Sequence, residues 1–201
     1  MSQHYFTENP DSEIKEKSFT ENIKGKQLNF TSVSGVFSFE NRIDKVSHSL
    51  IVNFTPSGSS ILDVGCGYGA IGLSIKSLFP SQKVTMIDIN NRALDYTRKN
   101  ASANHLEVEV LHSNLYEALS GRTFNDIVSN PPFAAGKELN TRLIKEAYEY
   151  LSENGSLWLV AFHNKGGSTL KDIMKNVFGN VTDVDKSGGI RVYKSIKKAG
   201  S

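Results

Sequence analysis

The sequence predicts an α/β fold, a mostly parallel sheet of seven strands with one strand antiparallel and helices on both faces. Three observations predict it. From Ser60 onward, short apolar runs alternate with stretches of helical periodicity, the pattern that builds β-α-β units. The first of these runs passes directly into a glycine-rich turn, Gly65-Cys66-Gly67-Tyr68-Gly69. The chain closes with two strand-like runs joined through Ser187-Gly188-Gly189, a hairpin signal that sets one strand against the rest.

Each element follows in chain order. Residues 7–24 are polar without clean periodicity and read as an arm over the surface or a frayed entry segment. Residues 25–38 read as two short strands around a turn, a β-hairpin lid. Ile43, Val46, Leu50 and Phe54 share helical spacing, so 42–54 is a helix, broken by Thr55-Pro56-Ser57-Gly58. Ile61 to Val64 is a strand and Ala70 to Phe79 a helix stopped by Pro80. Strands follow at Lys83 to Ile87, Val108 to Leu111 and Asp126 to Ser129, with a helix from Arg92 to Ala103. Leu139, Leu143, Ala147 and Leu151 lie on one helical face. Ser156 to Phe162 is an apolar strand, and Leu170, Ile173, Met174, Val177 and Phe178 form a last helical stripe. The closing strands lie near 180–185 and 190–196. Residues 1–54 thus read as an arm, hairpin and helix packed on a main domain of residues 55–201, forming one structural domain.

The 201 residues suit a single domain, and 38% hydrophobic with 22% charged residues suits a soluble globular chain. No run of about 20 apolar residues marks a membrane span, and Met1 to Asp11 lacks the pattern of a secretory signal. The lone cysteine, Cys66, fits a reducing cytoplasm. A net charge of +2 is too small to imply nucleic-acid binding by itself. Lys186, Arg191, Lys194, Lys197 and Lys198 make the C-terminal end basic, which reads most simply as a solvated tail. The five histidines lack metal-ligand spacing, so no catalytic metal is expected, and a monomer is the expected state.

The glycine turn carries the first chemistry. In open α/β sheets ligands bind at the carboxyl ends of strands, and glycines there let the backbone turn sharply and approach a ligand. The spacing is D-x-G-x-G-x-G, not the G-x-G-x-x-G of a pyrophosphate site. Asp63 at the strand end disfavours a pyrophosphate and favours a cationic sulfonium or ammonium. About 20 residues on, Val84 to Asp88 is a second strand ending in an acid. A carboxylate is an acceptor only, so Asp88 can take both ribose hydroxyls, each charge-assisted bond contributing about 1.5–3 kcal/mol. The plainer alternative is an ordinary turn with Asp88 as a helix cap.

The second motif is Asn130-Pro131-Pro132-Phe133, at the end of another strand. The prolines fix the backbone and lack N–H groups. An aniline-like amino group is a poor nucleophile because its lone pair is delocalised into the ring. Two acceptors, Asn130 Oδ1 and the Pro131 carbonyl, can pull such a nitrogen toward sp³ geometry. Phe133 can stack on a flat base. The plainer alternative is a rigid turn between strand and loop.

DVGCGYG followed by MIDIN resembles the cofactor half of the class I, Rossmann-like S-adenosylmethionine-dependent methyltransferases. That resemblance implies a methionine and ribose pocket lined by Asp63, Gly65, Cys66, Gly67 and Gly69, with Asp88 and Ile89 on the ribose. NPPF resembles the motif of enzymes that methylate amino groups of adenine, guanine or glutamine. With His4-Tyr5-Phe6-Thr7, Ser34-Gly35-Val36-Phe37-Ser38, Asp44-Lys45, Ala135-Gly136-Lys137-Glu138 and Gly189-Ile190-Arg191-Val192, the chain resembles a small stand-alone archaeal family. That family is similar to the catalytic half of bacterial 16S ribosomal RNA guanine-N2 methyltransferases.

The implied substrate is ribosomal RNA, entering through an unpaired or flipped base, and the implied cofactor is S-adenosylmethionine. The rivals are a protein glutamine or small-molecule amine methyltransferase, and a non-catalytic binding module, against which the intact motifs argue. Asn114, with Leu115 beside it, stands where the family carries an Asp toward the cofactor adenine; it still accepts through its amide oxygen, without charge. Phe37, Ser38, Lys137 and Arg191 are the candidate substrate contacts. Lys45, Arg142 and Lys165 are further cations that could meet phosphates or remain ordinary surface charges.

Overall fold

The computed structural model describes residues 8–132 and 136–200. His4-Tyr5-Phe6-Thr7, Phe133 and Ala135 of the sequence reading lie outside the described residues. An antiparallel hairpin, β1 (Glu16–Ile23) and β2 (Lys26–Val33), precedes helix α1 (Lys45–Asn53). The main sheet is then laid down by β3 (Ser60–Val64), β4 (Lys83–Asp88), β5 (Glu109–His112), β6 (Phe124–Ser129), β7 (Leu151–Phe162), β8 (Thr182–Ser187) and β9 (Ile190–Ile196). Helices α2 (Ala70–Leu78), α3 (Asn91–Ala103), α4 (Gly136–Tyr150) and α5 (Gly167–Phe178) connect them.

The strand order is β5-β4-β3-β6-β7-β9-β8. Only β9 runs against the others, pairing antiparallel with both β7 and β8. The predicted seven-stranded, mostly parallel sheet with one reversed strand is therefore observed. From β3 the chain steps outward through β4 to β5, then returns to place β6 on the other side of β3. Crossovers between parallel strands are right-handed, so reversing the direction of travel moves the connecting helices to the opposite face.

The side-chain pattern records both faces. Ile61, Val128, Trp158 and Val160 pack with α1, α2, α3 and the hairpin, whereas Leu62, Ile127, Leu157 and Leu159 pack with α4 and α5. Strands buried on both sides read as unbroken apolar runs, which is why the alternation of elements was legible.

The N-terminal region differs from its sequence reading. The hairpin spans 16–33, not 25–38, and its first strand lies within the segment read as an arm. Strand β1 is nearly all exposed, with Ile23 its one buried residue, so it carries little apolar signal and is a strand because β2 pairs with it. The free edge of β2 is covered by α3. Asn104 accepts from Asn29 N (2.8 Å) and donates to Asn29 O (2.7 Å), and Asn100 does the same with Thr31 (2.8 and 3.1 Å). Residues four apart on a helix rise about 6 Å, close to the spacing of residues two apart on a strand, so two amides continue the ladder. The remaining arm is not frayed: Arg92 donates to Ser34 O, Ser12 Oγ, Pro10 O and Ser12 O at 2.8–2.9 Å.

Two further readings shift. Leu151 opens β7 instead of closing α4. The basic C-terminal end is largely committed internally: Lys194 lies 4.6 Å from the Trp158 ring centroid, Lys197 donates to Leu151 O, and Lys186 pairs with Asp183.

Candidate active site

The order of strands reverses between β3 and β6, and a crevice opens there at their carboxyl ends, where ligands bind in open α/β sheets. It holds a cavity of about 530 Å³, within the size range of small-molecule and cofactor sites. Gly67 and Asn130, 63 positions apart in sequence, both line it.

One half of the cavity is built on β3, β4 and β5. Beyond β3 the chain turns through Gly65 (φ 71°) and Gly67 (φ 57°), left-handed conformations that favour glycine. The turn is fastened to β4, since Gly65 N and Cys66 N both donate to Ile87 O (2.9 and 3.0 Å). Asp88 closes it from the next strand: Oδ2 accepts from Gly67 N and Oδ1 from Asn90 N, each at 2.9 Å. Burial pushes the Asp88 carboxyl above its ordinary value, against the lowering pull of those amides. Thr97 and Asn100 of α3 hold the Gly67 and Tyr68 carbonyls at 2.8 Å. Asn114 donates to Glu117 Oε1 at 2.8 Å, which sets its amide with the oxygen available as acceptor.

The other half is built on β6 and β7 and on the N-terminal elements. Asp44 caps α1, accepting from Val46 N and Ser47 N (3.0 and 2.9 Å). This fixes Ser47, which is buried and accepts a 3.0 Å hydrogen bond from Asn130 Nδ2. The amide nitrogen of Asn130 is thus engaged by α1, leaving the amide oxygen to serve as acceptor. Pro131 and Pro132 line the same wall, and Asn140 of α4 donates to Pro132 O at 3.4 Å. Phe37, Ser38 and Phe162 also line the cavity.

The sequence from 27 to 194 matches the family model of the methyltransferase small domain. The chain belongs to that family. It is an S-adenosylmethionine-dependent methyltransferase. An uncharacterized protein of Bacillus subtilis, YbxB, is 35% identical across 98% of this chain and 100% of its own length. A Vibrio cholerae protein named ribosomal RNA small subunit methyltransferase C is 30% identical over 90% of this chain and 53% of its own. The chain therefore spans about half the length of that curated ribosomal RNA methyltransferase. Among solved structures, a T. thermophilus 16S rRNA N2 methyltransferase in complex with AdoMet and guanosine matches with a TM-score of 0.79 at 24% identity, over 94% of this chain and 52% of that one. The archaeal part of the sequence resemblance is not carried by these matches, whose full-length relative is bacterial.

The cofactor-side wall of the methyltransferase fits the cofactor on a structural ground. A Cβ built on Gly65 would meet nothing within 4 Å, and one on Gly67 only Val36 Cγ1 at 3.7 Å. The backbone there faces open space without intervening side chains. Asp88 accepts from Gly67 N and Asn90 N and also feels the Ile89 amide, and a carboxylate offers about four acceptor sites in all. The residues that would hold S-adenosylmethionine are Gly65, Gly67, Asp88, Ile89, Asn114 and Leu115.

The structure places several sequence-selected residues elsewhere. Asp63 is 1% exposed and off the cavity wall; Oδ2 accepts from Gly72 N at 2.8 Å, tying α2 to β3, and Oδ1 has no partner among the described residues. Burial pushes the Asp63 carboxyl up to about 7, and the neighbouring Asp88 charge adds to the rise. Gly69 is the N-cap of α2, and Lys137 and Arg191 also lie off the wall. Cys66 lines the cavity but is buried, and burial raises its thiol well above the ordinary value, the opposite of what a reactive cysteine needs. Sequence reading missed Ser47, Tyr68 and Phe162. Nothing local marks Ser47 as the partner of Asn130, 83 positions away.

Proposed function

We propose that this methyltransferase acts on an exocyclic amino nitrogen of an RNA base, with guanine N2 of ribosomal RNA as the acceptor. The observation that carries the reading is the Asn130 amide, whose nitrogen is held by Ser47 and whose side chain lines the same cavity as the Gly65–Gly67 turn. The names of the half-length relatives support ribosomal RNA as the substrate, and a cytoplasmic enzyme would meet that substrate there.

Bound S-adenosylmethionine supplies an electrophilic methyl group on a sulfonium centre. The chain's own contribution is positional. Asn130 Oδ1 and the Pro131 carbonyl accept from the two hydrogens of the amino group, drawing the nitrogen lone pair out of conjugation and aiming it. The proton leaves after the nitrogen has become cationic, so no strong general base is required. Residues 1–54, read as an extension of the domain at 55–201, supply Ser47 and much of the acceptor side.

A radiolabelled methyl-transfer assay on total RNA, DNA and protein fractions tests the reading. RNA should carry the label, and nucleoside analysis should return N2-methylguanine. Label found only in protein would replace the base with a glutamine side chain and overturn the proposal.

A further inference from the structure

We propose that Phe162, exposed on the wall of the cavity, is a stacking wall for the acceptor base, and that Lys165 beside it receives a flanking phosphate. This inference rests on the RNA-base reading above and adds residues that the sequence motifs do not contain.

The sheet order locates the acceptor. The cofactor-side residues stand at the ends of β3, β4 and β5, Asn130 follows β6, and Phe162 ends β7. Phe162 therefore lies one strand beyond Asn130, on the side away from the glycine turn. In the proposed pose the amino group meets Asn130 Oδ1 and the rest of its ring would extend away from the glycine turn, toward Phe162.

Among the described residues, five large apolar side chains are exposed: Ile14, Phe37, Phe162, Val184 and Ile196. Only the two phenyl rings line the cavity, at 49% and 39% exposure. Burying apolar surface is favourable by about 25 cal/mol per Å², so the half-open Phe162 ring on the cavity wall is suited to an apolar, planar occupant. A heteroaromatic base offers it a π-face. The flexible chain of a glutamine offers none.

The mounting is rigid on the sheet side. Phe162 pairs with Ile190 of β9, His163 N donates to Gly189 O at 2.9 Å, and His163 Nδ1 lies 2.8 Å from Tyr193 Oη. A ring on a strand end is held more tightly than one on a loop. Lys165 Nζ stands over one face of the Phe162 ring, 5.5 Å from its centroid, and meets no carboxylate among the described residues. Lys45, beside the wall residues Asp44 and Val46, likewise has no carboxylate partner there. An aromatic wall bordered by uncompensated cations is the combination that binds unpaired nucleic-acid strands.

The test uses the full chain, with unmodified small-subunit ribosomal RNA transcribed in vitro as methyl acceptor. Phe162→Ala should raise KM for the RNA about tenfold or more, the loss of one base–aromatic contact, while kcat changes little and cofactor affinity by calorimetry is unchanged. Phe162→Trp should restore KM, and Phe162→Leu, apolar but without a π-face, should not. Lys165→Gln should raise KM and flatten its dependence on salt. An unchanged KM in Phe162→Ala, or full rescue by leucine, overturns the stacking role while leaving RNA methylation standing. Absence of RNA methylation by the unsubstituted chain overturns both this inference and the reading beneath it.

Discussion

The two halves of the cavity are assembled in different ways. The cofactor half comes from three adjacent strand ends and the turns that follow them directly. Backbone amides and one carboxylate lock it together, as in the Gly67 and Asn90 bonds to Asp88. The other half, the acceptor side in the proposed reading, draws single residues from separated segments: Phe37 after the hairpin, Ser47 on α1, Asn130 after β6 and Phe162 at the end of β7. A site made of consecutive backbone tolerates change only at its glycines and carboxylates. A site made of side chains can be altered one contact at a time, which suits the part that must distinguish acceptors.

If the halves are separable, each should fail in its own way. The largest effect is expected from Asn130→Ala, which removes the acceptor carbonyl: turnover should fall about 10²–10³-fold, by analogy with loss of one preorganised polar contact. Cofactor affinity measured by calorimetry should stay within a factor of two or so of the parent. Preserved turnover would dissolve the distinction between the halves.

The next effect is on stability and belongs to the cofactor half. Asp63 has an ordinary value of 3.8 and is pushed up to about 7 in the fold. Between those values the native state holds a proton that the unfolded chain has lost, so stability is highest at the acid end and falls as pH rises. The slope is at most about 1.4 kcal/mol per pH unit. Glu109, held below its ordinary value by its bond from Arg122, acts oppositely and only at lower pH. Denaturant titrations from about pH 4 to 7 should show the decline, and Asp63→Asn, whose amide oxygen can still accept from Gly72 N, should reduce it, leaving the part of the same sign that Asp88, also raised by burial, contributes. Parallel profiles for the two proteins would remove Asp63 as the source.

Asp88→Ala should weaken cofactor binding about tenfold or more, and equal affinity by calorimetry would contradict its place against the ribose. Ser47→Ala is expected to be smallest. It removes one neutral hydrogen bond to Asn130, so kcat should fall roughly three- to tenfold, with cofactor affinity unchanged and partial recovery in Ser47→Thr. A larger loss accompanied by a drop in Tm would mean that Ser47 serves α1 packing more than the Asn130 amide.

The same contrast explains what could be read early. The glycine turn and Asp88 were legible as cavity lining because their signal is local: positive φ favours glycine, and Asp88 is the last residue of its strand. Asn130 was legible through its two prolines. Ser47 and Phe162 were not, because a serine on a helix and a phenylalanine ending an apolar strand are indistinguishable from core until neighbours are known. Asp63 was misplaced for a related reason. Strand side chains alternate between faces, and the sequence does not tell which face meets the ligand and which meets α2.

By itself, the sequence determined the sheet with its reversed strand, the helices on both faces and the two loops that carry the motifs. Periodicity and turn chemistry are properties of neighbouring residues. Only the tertiary structure decided that β1 is a strand, that two amides of α3 complete the edge of β2, and that Ser47 holds Asn130. The last two depend on hydrogen bonds between groups far apart in sequence, 69 positions for Thr31–Asn100 and 83 for Ser47–Asn130. Such partners have no signature until the chain has folded and removed the alternative of bonding to water.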